Sequence, residues 1–295
     1  MTRALIGPVL ITGGGGFLGR ALTGRLLDAG ETVVTVDLQA AQNGDPRATH
    51  LAGDIRDSAA LRSLLAPLGI RAIVHLAALV IPACRDTPVL GAEVNVIGHL
   101  NMLDLARALE VKRFLYTSSI AALPRPPHDA PVNLYGCWKR ACEDAAKVWH
   151  LDHGLASIGL RPNVVYGPGR EAGETAAITL AIKAAAQGKP YAMPFASDMC
   201  FQHVDEVTEI MDRCLQVIPD GPVVSDLTTN IESTDDVIAA IRLCAPEAQI
   251  TASDIRRPAP PELDNRALRS LIGDWTTVPL QEGVRRTFAQ YRDPA

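Results

Sequence analysis

Between residues 9 and 29 a short β-branched stretch, Val9–Thr12, turns through four successive glycines at 13–16 into an apolar-periodic stretch, Phe17–Ala29, with another glycine at 19. A strand that turns this tightly into a helix leaves few folds open. Glycines at 13, 16 and 19 permit positive φ, close approach of backbone to an anionic group and tight packing of helix on strand. The helix would aim its unpaired N–H groups and the positive end of its dipole at that anion. Such a unit belongs at the start of a parallel sheet.

The alternation continues to about Leu160. Strands are expected at Val9–Thr12, Thr32–Val36, Ala72–Leu76, Arg113–Thr117 and Leu155–Leu160, with a weaker one near His50–Gly53. Helices are expected at Phe17–Ala29, Ser58–Ala66, Ala92–Leu109 and Leu134–His153, each with apolar residues at three- and four-residue spacing. Right-handed crossovers then give an α/β, doubly wound parallel sheet of Rossmann type, which binds ligands at the carboxyl ends of its strands. Pro124, Pro126, Pro127 and Pro131 force a loop between Ile120 and Asn133. Beyond Arg161 come a Tyr166-Gly167-Pro168-Gly169 turn, a helix near Glu174–Gln187, and a strand and helix between Pro222 and Leu243. The expected division is a nucleotide-binding domain over 1–165, to which the strand and helix near 222–243 return, and a smaller, discontinuous lobe over 166–295.

With 295 residues, 47% of them apolar, the chain can bury a large core. A net charge of −5 with scattered basic residues gives no footprint for nucleic acid or an anionic membrane, so a small-molecule substrate is expected. The longest apolar stretch, Ala72–Cys84, is too short to span a bilayer and reads as a buried strand running into a loop. No secretory leader is evident at the N-terminus, so the cytoplasm is the expected location. The six cysteines lack metal or redox spacing and are expected to be reduced thiols. His150 and His153 are three apart on a helix end with no third ligand nearby, so no metal site is expected.

Asp37 ends the second strand about twenty residues after the glycines, where a carboxylate would accept both ribose hydroxyls of NAD and repel a 2′-phosphate. Tyr135 and Lys139 are four apart on a helix and share a face. An ammonium there favours the phenolate, a base for an alcohol proton, and Ser119 would hold the substrate hydroxyl.

These residues, with Gly53-Asp54-Ile55, His75-Leu76-Ala77-Ala78, Asn95-Val96-x-Gly98, Arg161-Pro162 and His203-Val204-Asp205-Glu206-Val207, resemble the extended short-chain dehydrogenase/reductases, the NAD-dependent epimerase and dehydratase group. The resemblance covers nearly the whole chain. It implies Ser119, Tyr135 and Lys139 as catalytic residues. It also implies that NAD is held by Gly13, Gly16, Phe17, Leu18, Gly19, Asp37, Asp54, Ile55, Leu76, Ala77, Ala78, Asn95, Tyr135, Lys139 and Pro162. Asp54 and Ile55 would contact the adenine, Asn95 would brace the nicotinamide region, and Ser118 would be the neighbour of Ser119 on the cofactor side. A homodimer through the helices containing Asn95 and Tyr135 is implied as well.

Relatives that bind nucleotide-sugars often carry asparagine where this chain has Val164, and an Arg-Asp pair where it has Asp198-Met199-Cys200. The cation that would clamp a diphosphate is missing. Ile120-Ala121-Ala122-Leu123 lacks the acid pair of the sugar dehydratases, which disfavours elimination of water. The expected activity is hydride abstraction from a secondary alcohol of a small sugar or sugar acid, as dehydrogenase or epimerase, with Arg170 a candidate handle for a substrate carboxylate. A nucleotide-sugar 4-epimerase is the alternative enzyme, and a non-catalytic dinucleotide sensor or scaffold the alternative of another class.

Overall fold

The computed structural model describes residues 5–228, 230–256 and 262–293. Its strands are β1 Val9–Thr12, β2 Val33–Asp37, β3 Thr49–Ala52, β4 Ala72–His75, β5 Arg113–Thr117, β6 Ile158–Arg161, β7 Val164–Tyr166, β8 Tyr191–Met193, β9 Asp198–His203, β10 Val223–Asp226, β11 Ile231–Ser233 and β12 Ile250–Ala252. The helices are α1 Phe17–Asp28, α2 Ser58–Leu65, α3 Ile81–Asp86, α4 Pro88–Ala92, α5 Gly98–Ala108, α6 Leu134–His153, α7 Ala177–Ala186, α8 Val204–Leu215, α9 Thr234–Cys244, α10 Arg266–Ile272 and α11 Leu280–Arg292.

Seven strands form one sheet in the order β10-β6-β5-β4-β1-β2-β3. Every pair in it is parallel. The chain reverses its direction of travel between β1 and β4, which is where a doubly wound sheet opens a crevice at its carboxyl edge. One face of the central strands is covered by an apolar core in which Leu10, Val34, Ile73, Met102, Leu103, Phe114 and Tyr116 pack together, all buried.

The chain divides into two compact units. The first holds residues 1–162, 208–226 and 264–274, and so contains the whole seven-stranded sheet. The late strand β10 joins its edge beside β6. The helix that follows in sequence, α9, belongs to the second unit, where Val237, Ile238 and Ile241 bury against the face of α11. That unit also holds β11-β9-β7 and β12-β8.

Three stretches differ from expectation. The segment after β4, expected as loop, contains α3, because Pro82 falls within its first two residues, where the missing N–H costs nothing. The helix expected at Ala92–Leu109 begins earlier, at α4, and is interrupted by a π-helical turn over Glu93–Ile97 before α5. The sixth strand starts three residues later than expected, since Gly154 ends α6 in the left-handed conformation, φ 69°, and the chain straightens only afterwards.

Candidate active site

The first half of the candidate site is the turn between β1 and α1. Gly13 has φ +71°, and a Cβ there would lie 2.8 Å from the Ala77 nitrogen. A Cβ on Gly19 would run into the Gly13 carbonyl oxygen. Only glycine lets the turn nest between the Leu76–Ala78 segment after β4 and the first turn of α1, which carries Phe17 and Leu18. Helix α1 begins at Gly16 with no side-chain cap. An uncapped helix start behind a tight glycine turn fits a pyrophosphate.

Asp37 closes the turn from the side. Its carboxylate accepts the Gly15 N–H at 3.0 Å and the Leu38 N–H at 2.8 Å, so it stands fixed at the end of β2 beside the glycines. Thr12 Oγ1 accepts the Ala77 N–H at 3.3 Å and lies 2.7 Å from His75 Nδ1, tying the ends of β1 and β4 together. Gly14, which sequence reasoning passed over, has no room for a Cβ because Thr35 on β2 lies against it.

The surrounding residues divide by environment. Asp54 is held by Arg56, Nη2 to Oδ2 2.5 Å, and that hydrogen bonding keeps its carboxyl below the ordinary range. The Ile55 side chain is buried, close beneath Gly98. Asn95, in the π-helical turn, accepts the Leu79 N–H at 2.8 Å and donates to the Leu79 carbonyl at 2.9 Å. It thereby braces the segment that follows Leu76–Ala78. Pro162 accepts the Ile120 N–H at 3.3 Å, which extends the β5–β6 pairing past the strand ends.

The second half lies at the end of β5 and the start of α6. Asn133 caps α6 by accepting the Gly136 N–H at 2.8 Å, which sets Tyr135 and Lys139 on its first two turns. Lys139 is 6% exposed; its ammonium donates to the Thr117 carbonyl at 2.7 Å and sits 5.7 Å from the centre of the Tyr135 ring. Ser119, two residues past Thr117, is extended and accepts the Ala121 N–H on its hydroxyl at 3.1 Å. Ser119, Tyr135 and Lys139 thus belong to one loop and one helix face at the carboxyl end of the sheet, in the same unit as the glycine turn.

Gly136 is the hinge of this arrangement. A Cβ there would strike the Ala121 carbonyl and lie 3.0 Å from Pro131 Cβ, so α6 approaches the Ser119 loop only because residue 136 has no side chain. Gly136→Ala is expected to push the Tyr135 turn away from that loop and lower kcat by roughly a hundredfold, since a shift of about 1 Å costs that much. Steady-state kinetics beside a thermal melt check it; unchanged kcat would mean that the loop yields freely.

The Ser118 hydroxyl is buried and donates to Glu143 Oε1 at 2.5 Å. Glu143 is fully buried and also receives Arg161 Nε at 2.7 Å and Nη2 at 2.6 Å, while Arg161 Nη1 reaches Asp226 on β10 at 3.3 Å. Hydrogen bonding to Glu143 holds the Arg161 guanidinium above its ordinary range. Sequence reasoning missed Glu143, although it stands four residues beyond Lys139 and repeats the Tyr135–Lys139 spacing. In the second unit Arg170 donates to Thr175 Oγ1 at 3.2 Å, while Glu171 pairs with Lys183 at 2.7 Å.

Among the described residues no group of three or more His, Cys, Asp or Glu side chains is placed to hold a metal ion, and no helix is long and apolar enough to cross a membrane. All six cysteines are free thiols. Over 96% of its length the chain is similar to a UDP-glucose 4-epimerase of Mycolicibacterium smegmatis, 29% identical and covering 98% of that protein. It is 34% identical to a D-erythronate dehydrogenase of Haemophilus influenzae over 46% of the chain and 47% of that enzyme. Among solved structures it resembles an L-threonine dehydrogenase from Cupriavidus necator with a TM-score of 0.86 at 23% identity, covering 96% of this chain and 99% of that one. The model of the NAD dependent epimerase/dehydratase family matches residues 9–231, and the chain belongs to that family of NAD-dependent enzymes.

Proposed function

We propose that this enzyme abstracts hydride from a secondary alcohol on a small sugar or sugar acid, with Tyr135 as the base. The observation that carries the reading is the Lys139 ammonium, buried beside the Tyr135 ring and anchored on Thr117 two residues before Ser119. NAD, when bound, supplies the hydride acceptor. Gly13, Gly16, Phe17, Leu18 and Gly19 hold its phosphates, Asp37 its ribose hydroxyls, and Leu76, Ala77, Ala78, Asn95 and Pro162 its nicotinamide half, with Asp54 and Ile55 toward the adenine. Ser119 orients the substrate hydroxyl by a hydrogen bond, and Tyr135 receives its proton as the neighbouring C–H bond breaks. Lys139, anchored on the Thr117 carbonyl, keeps its positive charge beside the Tyr135 ring. Arg170 is the handle for a carboxylate.

A small substrate is supported by the chemistry of the second unit. Val164 is buried on β7, and Cys200, Phe201 and Gln202 on β9 are buried too, so neither strand offers a cation to a diphosphate. The similarity to a D-erythronate dehydrogenase agrees with a polyhydroxylated acid. Incubation with NAD and a panel of four- to six-carbon sugar acids is expected to accumulate NADH, read at its absorbance. An inverted centre without net NADH would make it an epimerase. The full-length likeness to a UDP-glucose 4-epimerase favours a second reading, and saturable binding of UDP alone would replace the first with it.

A cytoplasmic homodimer completes the proposal. Leu134, Val148 and Leu151 on α6, with Val89, Leu90 and Ile97 on the preceding helical stretch, are exposed and apolar, which suits a helix-to-helix interface. Light scattering on the eluted protein tests it, a monomer mass counting against it.

A further inference from the structure

We infer that Glu143 is a positioning residue: it locks the Thr117–Ser119 turn so that Ser119 and Tyr135 face one substrate hydroxyl. The inference rests on the roles proposed for those two residues. Tyr135, Lys139 and Glu143 recur every four residues on α6 and form one stripe along the helix. The stripe meets the chain leaving β5 in order: Lys139 holds the Thr117 carbonyl, and Glu143 holds the Ser118 hydroxyl. Ser119 comes next. The direction in which its side chain leaves the backbone is set by the turn that Ser118 anchors.

The backbone around it is tied as well. Ser118 N donates to Leu160 O at 2.7 Å and Ile120 N to Pro162 O at 3.3 Å, so the turn is stitched to the chain leaving β6 on both sides of Ser119. Arg161, between those two acceptors, is the residue whose guanidinium grips both oxygens of Glu143, and its remaining nitrogen reaches Asp226 on β10. Two strand ends therefore share the Glu143 carboxylate, and Arg161 ties the end of β10 to them through Asp226. An apolar pair of similar volume could fill this space without the cost of burying charge, so packing alone does not account for an acid here. What an apolar pair could not supply is a directed acceptor for Ser118, which fixes the orientation of the residue beside it.

Glu143→Leu/Arg161→Met removes the paired charges of Glu143 and Arg161 together, leaves Asp226 its hydrogen bond from the Asp264 N–H, and so reduces the penalty of an unpaired buried ion. The double variant is expected to melt within a few degrees of the parent and to bind NAD unchanged by calorimetry. Its amides over residues 118–122 should exchange hydrogen for deuterium at least about tenfold faster, with the central strands as protected as before. On any alcohol that the parent oxidises, kcat should fall about tenfold or more with KM for NAD held. Parent-like protection at 118–122, or parent-like kcat, overturns the inference. Should the double variant not fold, Ser118→Ala, which deletes only the donor to Glu143, is read by the same exchange and kinetics. If the parent oxidises no alcohol in the panel, the proposed substrate class fails while the exchange at 118–122 still decides the role of Glu143.

Discussion

Tyr135→Phe is expected to lower kcat by roughly 10³-fold while NAD affinity and thermal midpoint stay near those of the parent. A positioned general base contributes about 10²–10⁴ to rate, and phenylalanine keeps the ring while deleting only the oxygen that receives the proton. A thousandfold loss corresponds to about 4 kcal/mol of barrier. Because Lys139 is anchored on the Thr117 carbonyl rather than on the phenol, its ammonium stays in place in the variant. The loss should therefore fall on kcat and kcat/KM alike, the mark of an interaction made only in the transition state. Single-turnover hydride transfer, followed as NADH absorbance, is the measurement. If the variant turned over as the parent does, the proton-transfer role would be lost and a dinucleotide sensor or scaffold would become the better account.

The parts of this site that were legible in the sequence are those whose geometry is local. A strand, a glycine turn and a helix fix the arrangement of Gly13, Gly16 and Gly19 within a few residues, and a four-residue spacing puts Tyr135 and Lys139 on one face wherever α6 lies. The Glu143 cluster was not legible, because its partners Ser118, Arg161 and Asp226 come from the ends of β5, β6 and β10, which become neighbours only through the strand order of the sheet. A glutamate on an amphipathic helix reads as a solvated residue until the sheet is assembled. The burial of the Ser118 hydroxyl follows from the same fact, since it goes where the buried carboxylate is.

Much of the fold was legible for a related reason. Strands buried on both faces show as short apolar runs, and Val9–Thr12 and Arg113–Thr117 have the expected bounds. Helix α6 does too, with Asn133 and Gly154 as its caps. The interruption at Asn95 had no such signal. A π-helical turn changes the side-chain direction without changing composition, and here it serves to bring the Asn95 amide onto the Leu79 backbone. Such turns gather at functional sites because they re-aim one side chain within an otherwise regular helix.

The second large effect expected is acid lability above the range in which carboxylates titrate. His75 on β4 and His99 on α5 are 5% and 2% exposed, with ring centres 5.4 Å apart. Burial pushes both imidazoles down, His99 to about 3; the Lys139 ammonium adds to the effect on each, after His99 in the case of His75. Neither takes up a proton while folded at pH 5, whereas in the unfolded chain both do so near pH 6.5. Stability is therefore complete above pH 6.5 and is lost as the pH falls below it, because the unfolded state binds more protons there. His99 alone costs about 2 kcal/mol by pH 5 and His75 adds to it in the same direction, a large share of the 5–15 kcal/mol typical of a folded domain. Calorimetric melts from pH 8 to 5 should show a fall on the order of 10 °C. His99→Phe separates this from other titrations: His99 Nε2 has no hydrogen-bond partner to lose, and the rings of Phe114 and Tyr116 already surround the site. The variant should melt near the parent at pH 8 and lose clearly less than the parent by pH 5. An equally steep pH dependence in His99→Phe would place the acid sensitivity elsewhere.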